Sequence, residues 1–299
     1  LFQKAAPTKN RAPQDNIGLL LISEGDTALE GISLTNLQGQ STSPLQIAKA
    51  SAQNLLPALK QLLDAGCNSI VALRAGDRLA ANALDHLTGL LDEGSAWGYA
   101  DCDRDGANGE RSLPWLKPVW DIDLFIGADI FTPGAIFGAA IVKDALGLLS
   151  PASDLQALSW HYLIAGIALA TEKTQATVTH LPQVLYHRNH GAPASPEQAL
   201  PSMDRQQAIA WLIQCLAPGA TVEALPVYPA LLRAHWPLPA ALPRVSLIVP
   251  TRDQYGLLHA CIEGLLNNTD YPDLEIIVVD NHSSDPQTLA YLAELPDRG

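Results

Sequence analysis

Apolar runs of strand length alternate with amphipathic helical stretches over the first two thirds of the chain. Ile17–Ile22 (IGLLLI) and Asn68–Leu73 (NSIVAL) are short continuous apolar runs, a pattern typical of strands buried on both faces of a parallel sheet. Ile47–Leu63 and Ala80–Leu91 carry apolar residues at helical spacing, and Pro57 is expected to bend or divide the first helix. This alternation predicts an α/β domain with a mainly parallel sheet flanked by helices.

A second and clearer unit of the same kind follows near the end of the chain. Val245–Val249 (VSLIV) and Leu274–Val279 (LEIIVV) are predicted as buried strands, and Leu257–Leu266 between them as an amphipathic helix. Such β-α-β units join parallel strands, and open α/β sheets bind ligands beyond the carboxyl ends of their strands. The binding edge of this unit is therefore expected at residues 250–253 and 280–285.

A proline-rich stretch separates the two patterns. Five prolines fall between residues 226 and 243, where no helical or strand period is present, and this density stiffens an extended connection. The predicted organisation is a linker or disordered segment at 1–15, a domain at 16–225, a proline-rich linker at 226–243 and a partial second domain at 244–299. Because the chain begins at Leu1 rather than Met and stops at Gly299, we expect it to be a fragment.

Charge and composition exclude several classes of partner. The 31 acidic residues outnumber the 18 basic ones, giving a net charge of −13, which argues against nucleic acid and anionic lipid as ligands. The apolar run Tyr162–Ala170 has about half the length needed for a transmembrane helix, so it is predicted as a buried helix. The four cysteines show no CxxC pair, and the first residues lack the pattern expected of a signal peptide, so we expect a reducing compartment. We expect a cytoplasmic protein. Any association with the inner face of the membrane is expected to occur through partners.

The segment VSLIVPTRDQ and the segment LEIIVVDNHSSD carry a family resemblance that covers residues 244–295. They resemble the beginning of family 2 glycosyltransferases of the GT-A fold, in which the first strand ends in Pro-Thr and the second in Asp. The resemblance implies a mainly parallel GT-A-like sheet, followed here by a partial second unit of the same fold. It also implies that these strand ends build the nucleotide half of a site for a nucleotide-diphosphate sugar.

The resemblance assigns roles to individual residues at this edge. Thr251 and Asp280 would contact the nucleotide base, and Pro250, Asp253 and Ser283 would lie nearby. A carboxylate at a strand end can accept a hydrogen bond from a base N–H. One position departs from the family pattern, because His282 stands where the family often has glycine, so the local turn can differ.

Upstream, residues 66–190 resemble the later half of the same fold, as found in tandem polysaccharide-type enzymes. The segment IVALRAGDRLAANAL resembles the strand that carries the family's Asp-x-Asp motif, and THLPQVLYHRN resembles its closing strand. The resemblance implies an inverting transferase that needs a divalent metal (Mg²⁺ or Mn²⁺), a carboxylate base and a donor pocket.

The first domain departs from this pattern where the chemistry is carried. Arg74-Ala75-Gly76-Asp77 stands at the metal position, and Leu158–His161 offers no carboxylate at the position of the base. A cation at Arg74 disfavours metal binding, so the first domain is predicted to be non-catalytic. Two alternatives remain. Asp101, Asp103 and His187 could hold a metal, the competing interpretation being a solvated acidic turn. Arg74 could also pair a diphosphate directly.

The functional hypothesis is a nucleotide-sugar-dependent glycosyltransferase of bacterial cell-surface polysaccharide synthesis. Its partners would be a nucleotide-diphosphate sugar donor and a glycan acceptor, with the catalytic residues beyond Gly299. The fragment itself would then be inactive. The rival hypothesis is a non-enzymatic scaffold that binds a glycan or a protein. A dinucleotide-dependent oxidoreductase is set aside, because no GxGxxG follows a strand.

Overall fold

The computed structural model describes residues 16–92, 94–108, 110–150, 158–199 and 202–297. It divides into two compact units, with the division between Pro237 and Leu238. Each unit has a hydrophobic core of its own. The segment 1–15, predicted as linker or disordered, lies outside the described residues.

The first unit consists of helices and strands that alternate along much of the chain. Its strands are β1 Ile17–Ile22, β2 Gln46–Ala50, β3 Ser69–Arg74, β4 Arg78–Leu79, β5 Trp97–Asp105, β6 Arg111–Trp115, β7 Ala135–Gly138, β8 Val178–Arg188, β9 Thr221–Ala224 and β10 Leu232–His235. Its helices are α1 Thr27–Gln38, α2 Leu56–Asp64, α3 Ala83–Asp92, α4 Ile122–Gly127, α5 Ala139–Leu149, α6 Trp160–Thr174 and α7 Met203–Leu216.

A central sheet with the strand order β2-β1-β3-β7-β5-β8-β4 organises this unit, and β6 adds to β5. β1 is parallel to β2 and β3, and β5 is parallel to β8. The predicted α/β class is confirmed. The sheet is mixed where a mainly parallel one was expected, because β7 and β4 run antiparallel to their neighbours. Strand direction depends on the connections, which a hydrophobic run does not reveal.

Helices cover both faces of the sheet, and the side chains of β1 are shared between them. All six residues of β1 are buried. Leu20 and Ile22 pack into one core cluster with residues of α2, α5 and α6, whereas Leu19 and Leu21 pack into a second cluster with residues of α3. Successive strand residues point to opposite faces, so a continuous apolar run is what a doubly covered strand requires.

The helix predicted over Ile47–Leu63 is wrong in its first half. Ile47 and Ala48 belong to β2, where they pair with Leu19 and Leu20 of β1. The helical part is α2, which has Pro57 in its first turn. Proline is favoured there because its ring fixes a helical φ and the missing N–H has no intrahelical partner in any case. Pro57 therefore marks the start of the helix rather than a bend within it.

The helix α6 contains the apolar stretch predicted as a buried helix. Its residues from Leu163 to Thr171 are all buried, and a left-handed Gln175 ends it. In the part of the chain that the structure describes, no helix has the length and apolar character needed to cross a bilayer.

The predicted linker at 226–243 contains regular structure. β10 pairs antiparallel with β9, and Leu232 is buried against the core of the first unit. The segment between Pro229 and Pro237 is free of proline, so its backbone N–H groups can complete a strand ladder. A count of prolines over the whole stretch hides this short interval.

The second unit is a β-α-β-α arrangement. Its elements are β11 Val245–Thr251, α8 Tyr255–Asn268, β12 Leu274–Asp280 and α9 Pro286–Glu294. β11 and β12 are parallel, as predicted, and Leu258, Ile262 and Tyr291 form the core against Val249, Ile276 and Val278. The prediction that both strands are buried is wrong: the apolar residues on the core face are partly buried, and Ile248, on the other face, is 68% exposed. Both described helices contribute to the core on one face of this two-stranded sheet.

This one-sided core predicts unequal effects of matched substitutions. Ile262→Ala should lower the free energy of unfolding of the second unit by about 2 kcal/mol, because Ile262 is 2% exposed. Ile248→Ala should change it by less than about 0.5 kcal/mol. Amide hydrogen exchange of β11 and β12 measures both. An equal loss for the two variants would show that the open face is covered in solution.

Candidate functional site

Two strand ends lie side by side in the second unit. The register of β11 and β12 pairs Thr251 with Asp280, the last residues of the two strands. The backbone N–H of Asn281 donates to the carbonyl oxygen of Thr251 at 2.9 Å, which ties the loop after β12 to the end of β11. The Thr251 side chain is nearly buried and Asp280 is exposed. The sequence predicts this juxtaposition from the parallel pairing alone.

The loop after β12 folds back onto Asp280. The carboxylate of Asp280 accepts hydrogen bonds from the backbone N–H of Ser283 at 3.1 Å and from its hydroxyl at 2.5 Å. His282 between them has a φ of 57°, in the left-handed region that glycine adopts most easily. Histidine therefore adopts a backbone conformation that favours glycine, at a strain of about 1 kcal/mol.

Asp253 connects the two loops. Its carboxylate accepts hydrogen bonds from the backbone N–H groups of Ser284 at 2.5 Å and Asp285 at 2.7 Å. Its own N–H donates to the hydroxyl of Ser283 at 3.0 Å. The hydrogen bonds from the Asp285 and Ser284 backbones lower the pKa of the Asp253 carboxyl. Asp253 thus has a positioning role that the sequence did not reveal, because its partners are backbone groups about 30 residues away.

The structure therefore brings Thr251, Asp253, Asp280 and Ser283 into one connected edge, with Pro250 one residue before it. Asp280 is the exposed acceptor of this group. A carboxylate offers about four acceptor positions, and Ser283 is its hydrogen-bond partner among the described residues. The other acceptor positions of the Asp280 carboxylate are exposed to solvent. They are therefore accessible to an N–H donor of a planar base.

The first unit does not offer a metal site at the position that the family resemblance indicates. Asp77 is 5% exposed, and both of its carboxylate oxygens are engaged: Oδ2 accepts from the Tyr186 hydroxyl at 2.6 Å, and Oδ1 accepts from the Asn189 N–H at 2.7 Å. Burial raises the pKa of Asp77 above its ordinary value. Arg74 adds a positive charge beside it. These residues do not fit a divalent cation.

The alternative metal group at Asp101, Asp103 and His187 is not assembled either. Asp103 accepts a hydrogen bond from Nδ1 of His187 at 2.6 Å and pairs with Arg111 at 2.6 Å. Asp101 is engaged with His180 and with the backbone N–H of Lys117. Among the residues that the structure describes, no group of three His, Cys, Asp or Glu side chains is arranged to hold a metal ion. These side chains form hydrogen bonds and ion pairs with neighbouring groups instead of coordinating a common metal ion. The competing interpretation, a solvated acidic turn, is wrong as well, because Asp101, Asp103 and His187 are buried.

The segment 158–161 forms the beginning of α6. Ser159 is its N-cap and accepts a hydrogen bond from the N–H of Tyr162 at 3.3 Å. His161 follows in the first turn, and burial lowers the pKa of its imidazole, which favours the neutral ring. The nearby carboxylates of Asp129 and Asp204 act in the opposite direction. Neither acid stands in a recognisable motif, so their position near His161 could not be predicted from the sequence.

A cavity of about 890 Å³ lies in the first unit beside these residues. Its walls come from segments that are far apart along the chain: the end of β3, the loop at 128–133, the start of α6, the end of β8 with the loop that follows, the start of α7, and residues 224–232. The walls contain the arginines Arg74, Arg188 and Arg205, the acids Asp77 and Asp129, and the histidines His161 and His190. Sequence reasoning identified Arg74 and Asp77 but missed the cavity that joins them to the others.

Comparison with known proteins gives one family match and two related chains. Residues 246–298 match the family model described as "Glycosyl transferase family 2". The chain is 27% identical over 284 residues to "O-antigen biosynthesis protein RfbC" of Myxococcus xanthus, an alignment that covers 93% of this chain and 22% of that protein. It is 30% identical over 203 residues to "Uncharacterized protein y4gI" of Sinorhizobium fredii, covering 66% and 22%. The chain thus spans about a fifth of the length of these relatives.

Among solved structures, the chain is similar to "S. aureus TarS 1-349 in complex with UDP", with 15% identity and a TM-score of 0.43. The similarity covers 67% of this chain and 65% of that one. The structure of "S. aureus TarS 1-349" gives a TM-score of 0.41 at 13% identity.

Proposed function

We propose that this chain, whose residues 246–298 match the model of glycosyl transferase family 2, is part of an enzyme that transfers a sugar from a nucleotide diphosphate to a glycan. The observation that carries this proposal is the family match over a β-α-β unit whose strand ends pair Thr251 with Asp280. The relation to an O-antigen biosynthesis protein supports cell-surface polysaccharide as the product. The four free cysteines fit a reducing, cytoplasmic site of action.

In this proposal the second unit holds the nucleotide end of the donor. The Asp280 carboxylate accepts an N–H of the base, and the Thr251 end of β11 forms the neighbouring wall. Asp253 and Ser283 connect the two loops through their hydrogen bonds, so the two strand ends are held together before the ligand arrives. Such preorganisation lowers the entropy cost of binding.

We further propose that the first unit does not catalyse sugar transfer. Three observations support this: Arg74 stands at the metal position, the oxygens of Asp77 are engaged by Tyr186 and Asn189, and the first turn of α6 lacks a carboxylate. A departing nucleotide diphosphate would lack a metal to neutralise its charge, and an acceptor hydroxyl would lack a carboxylate base.

Titration calorimetry with UDP, GDP and dTDP in the presence of EDTA tests the nucleotide site. One of these nucleotides is expected to bind the chain with one-to-one stoichiometry, because recognition of the base through Asp280 needs no metal. Absence of binding by all three would contradict the assignment of the second unit.

A hydrolysis assay with the matching nucleotide sugar tests the first unit. We expect that the first unit contributes no difference between the hydrolysis rates measured in Mn²⁺ and in EDTA. Metal-dependent hydrolysis that persists in an Asp280→Ala variant would place the chemistry in the first unit and contradict the proposal.

A further inference from the structure

The cavity of the first unit contains a positive charge without a counter-charge bound to it. Arg74 is the last residue of β3, its side chain is exposed, and it lines the cavity. Among the described residues, its guanidinium makes neither a hydrogen bond nor an ion pair. A guanidinium keeps its charge at any physiological pH and offers five donors in a planar fork, which matches a phosphate or a carboxylate.

The acids in the cavity walls are already engaged by other groups. The oxygens of Asp77 accept from Tyr186 and Asn189. Asp129 accepts from the backbone N–H of Thr132 at 3.0 Å and from the hydroxyl of the same residue. Neither carboxylate forms an ion pair with Arg74, so an incoming anion does not have to displace one.

Two further arginines of the walls donate to backbone carbonyl groups rather than to carboxylates. Arg188 donates to the carbonyl oxygens of Pro193 and Leu113, and its guanidinium stacks on Trp115 at 3.5 Å. Arg205 donates to the carbonyls of the last residues of α4. Among the described residues, Nε of Arg188 and Nη1 of Arg205 are buried without a hydrogen-bond partner. Burial also lowers the pKa of both arginines. An anion in the cavity would supply acceptors for these donors.

Two helices also begin at the cavity. Trp160 and His161 in the first turn of α6 line it, as do Ser202 and Met203 at the start of α7. The positive end of a helix dipole favours negative charge within its first turn. Asp204 in the first turn of α7 partly offsets this effect at that helix, whereas α6 has no acid in its first turn.

We propose that this cavity binds a saccharide bearing a phosphate or carboxylate group, without a metal ion, through an ion pair with Arg74. Its volume of about 890 Å³ lies within the usual range for small-molecule sites, about 300–1,000 Å³. The rings of Trp115 and Trp160 provide apolar wall for a sugar. The first unit then acts as a binding module whose arginine supplies the charge that a metal would otherwise supply. This site is separate from the nucleotide site of the second unit.

Titration calorimetry with the whole chain in EDTA tests the proposal, with glucose 1-phosphate, glucuronic acid and glucose as probes. At least one anionic probe is expected to bind and glucose to bind at least tenfold more weakly. The two anionic probes show whether phosphate or carboxylate is preferred. Arg74→Ala should weaken binding at least tenfold and Arg74→Lys less, because lysine keeps the charge but loses the planar fork. Lys60→Ala, which removes an exposed cation of α2, should leave the affinity unchanged.

The proposal is overturned if neither anionic probe binds, if binding requires Mn²⁺, or if Arg74→Ala and Lys60→Ala bind equally well. An Asp280→Ala variant separates this site from the other one. It should retain the sugar-phosphate or uronate affinity of the unsubstituted chain, and a parallel loss would assign the binding to the second unit instead.

Discussion

Replacing Asp280 by alanine is expected to weaken nucleotide binding about 10- to 100-fold. A hydrogen bond to a charged group contributes about 1.5–3 kcal/mol, and this carboxylate is the exposed acceptor at the paired strand ends. The substitution also removes the anchor of the Ser283 turn, so the pocket becomes less preorganised. Calorimetric titration of the nucleotide that binds most tightly measures the change in Kd.

Glu275→Ala provides the matched control. Glu275 is an exposed carboxylate on the same strand, and it accepts a hydrogen bond from Ser246 at 2.7 Å, much as Asp280 does from Ser283. Its removal should leave the affinity within about twofold. If the two variants lose affinity to the same extent, Asp280 acts only through the overall charge of the unit, and the proposed contact with the base is wrong.

The second large effect is on stability: Asp77→Ala should lower the free energy of unfolding of the first unit by about 3 kcal/mol. The substitution leaves the Tyr186 hydroxyl and the Asn189 N–H without their acceptor inside the protein. Each unsatisfied buried donor costs about 1–3 kcal/mol. All six tryptophans lie between residues 97 and 236, so urea unfolding followed by tryptophan fluorescence reports on the first unit alone.

Asp144→Ala, which removes an exposed acid of α5, should change this free energy by less than about 0.5 kcal/mol. Addition of Mn²⁺ or EDTA should not shift the unfolding curve of the unsubstituted chain, since a ligand stabilises only a protein that binds it. Stabilisation by Mn²⁺ that disappears in Asp77→Ala would show that Asp77 is a metal ligand and would contradict the structural role assigned here.

The strands that the sequence predicted well are those with continuous apolar runs. These strands are β1, β3, β11 and β12. Each can be recognised from its own residues, because packing against a core on one or both faces requires apolar side chains along the strand itself. β2 and β7 were missed, since Gln46–Ala50 is partly polar and Ala135–Gly138 is too short to stand out. Their strand conformation comes from pairing with β1, β3 and β5, which is a tertiary effect.

The two candidate sites also differ in how well the sequence predicts them. The edge at Thr251 and Asp280 was predictable, because parallel pairing brings consecutive strand ends together. The cavity of the first unit was not, because Arg74, Asp129 and Arg205 lie 55 to 131 residues apart along the chain. The engagement of Asp103 by His187 was equally hidden: the sequence shows a metal-like spacing, whereas the structure shows two side chains that satisfy each other at 2.6 Å.

The central claim is that the two strand ends of the second unit form the pocket for a nucleotide base. Backbone NMR of the isotope-labelled chain during titration with the best-binding nucleotide tests it most directly. The amide shifts are expected to change chiefly at residues 251–253 and 280–285, with saturation at one equivalent. Shift changes confined to the first unit, around Arg74 and His161, or the absence of any change at the two strand ends would contradict it.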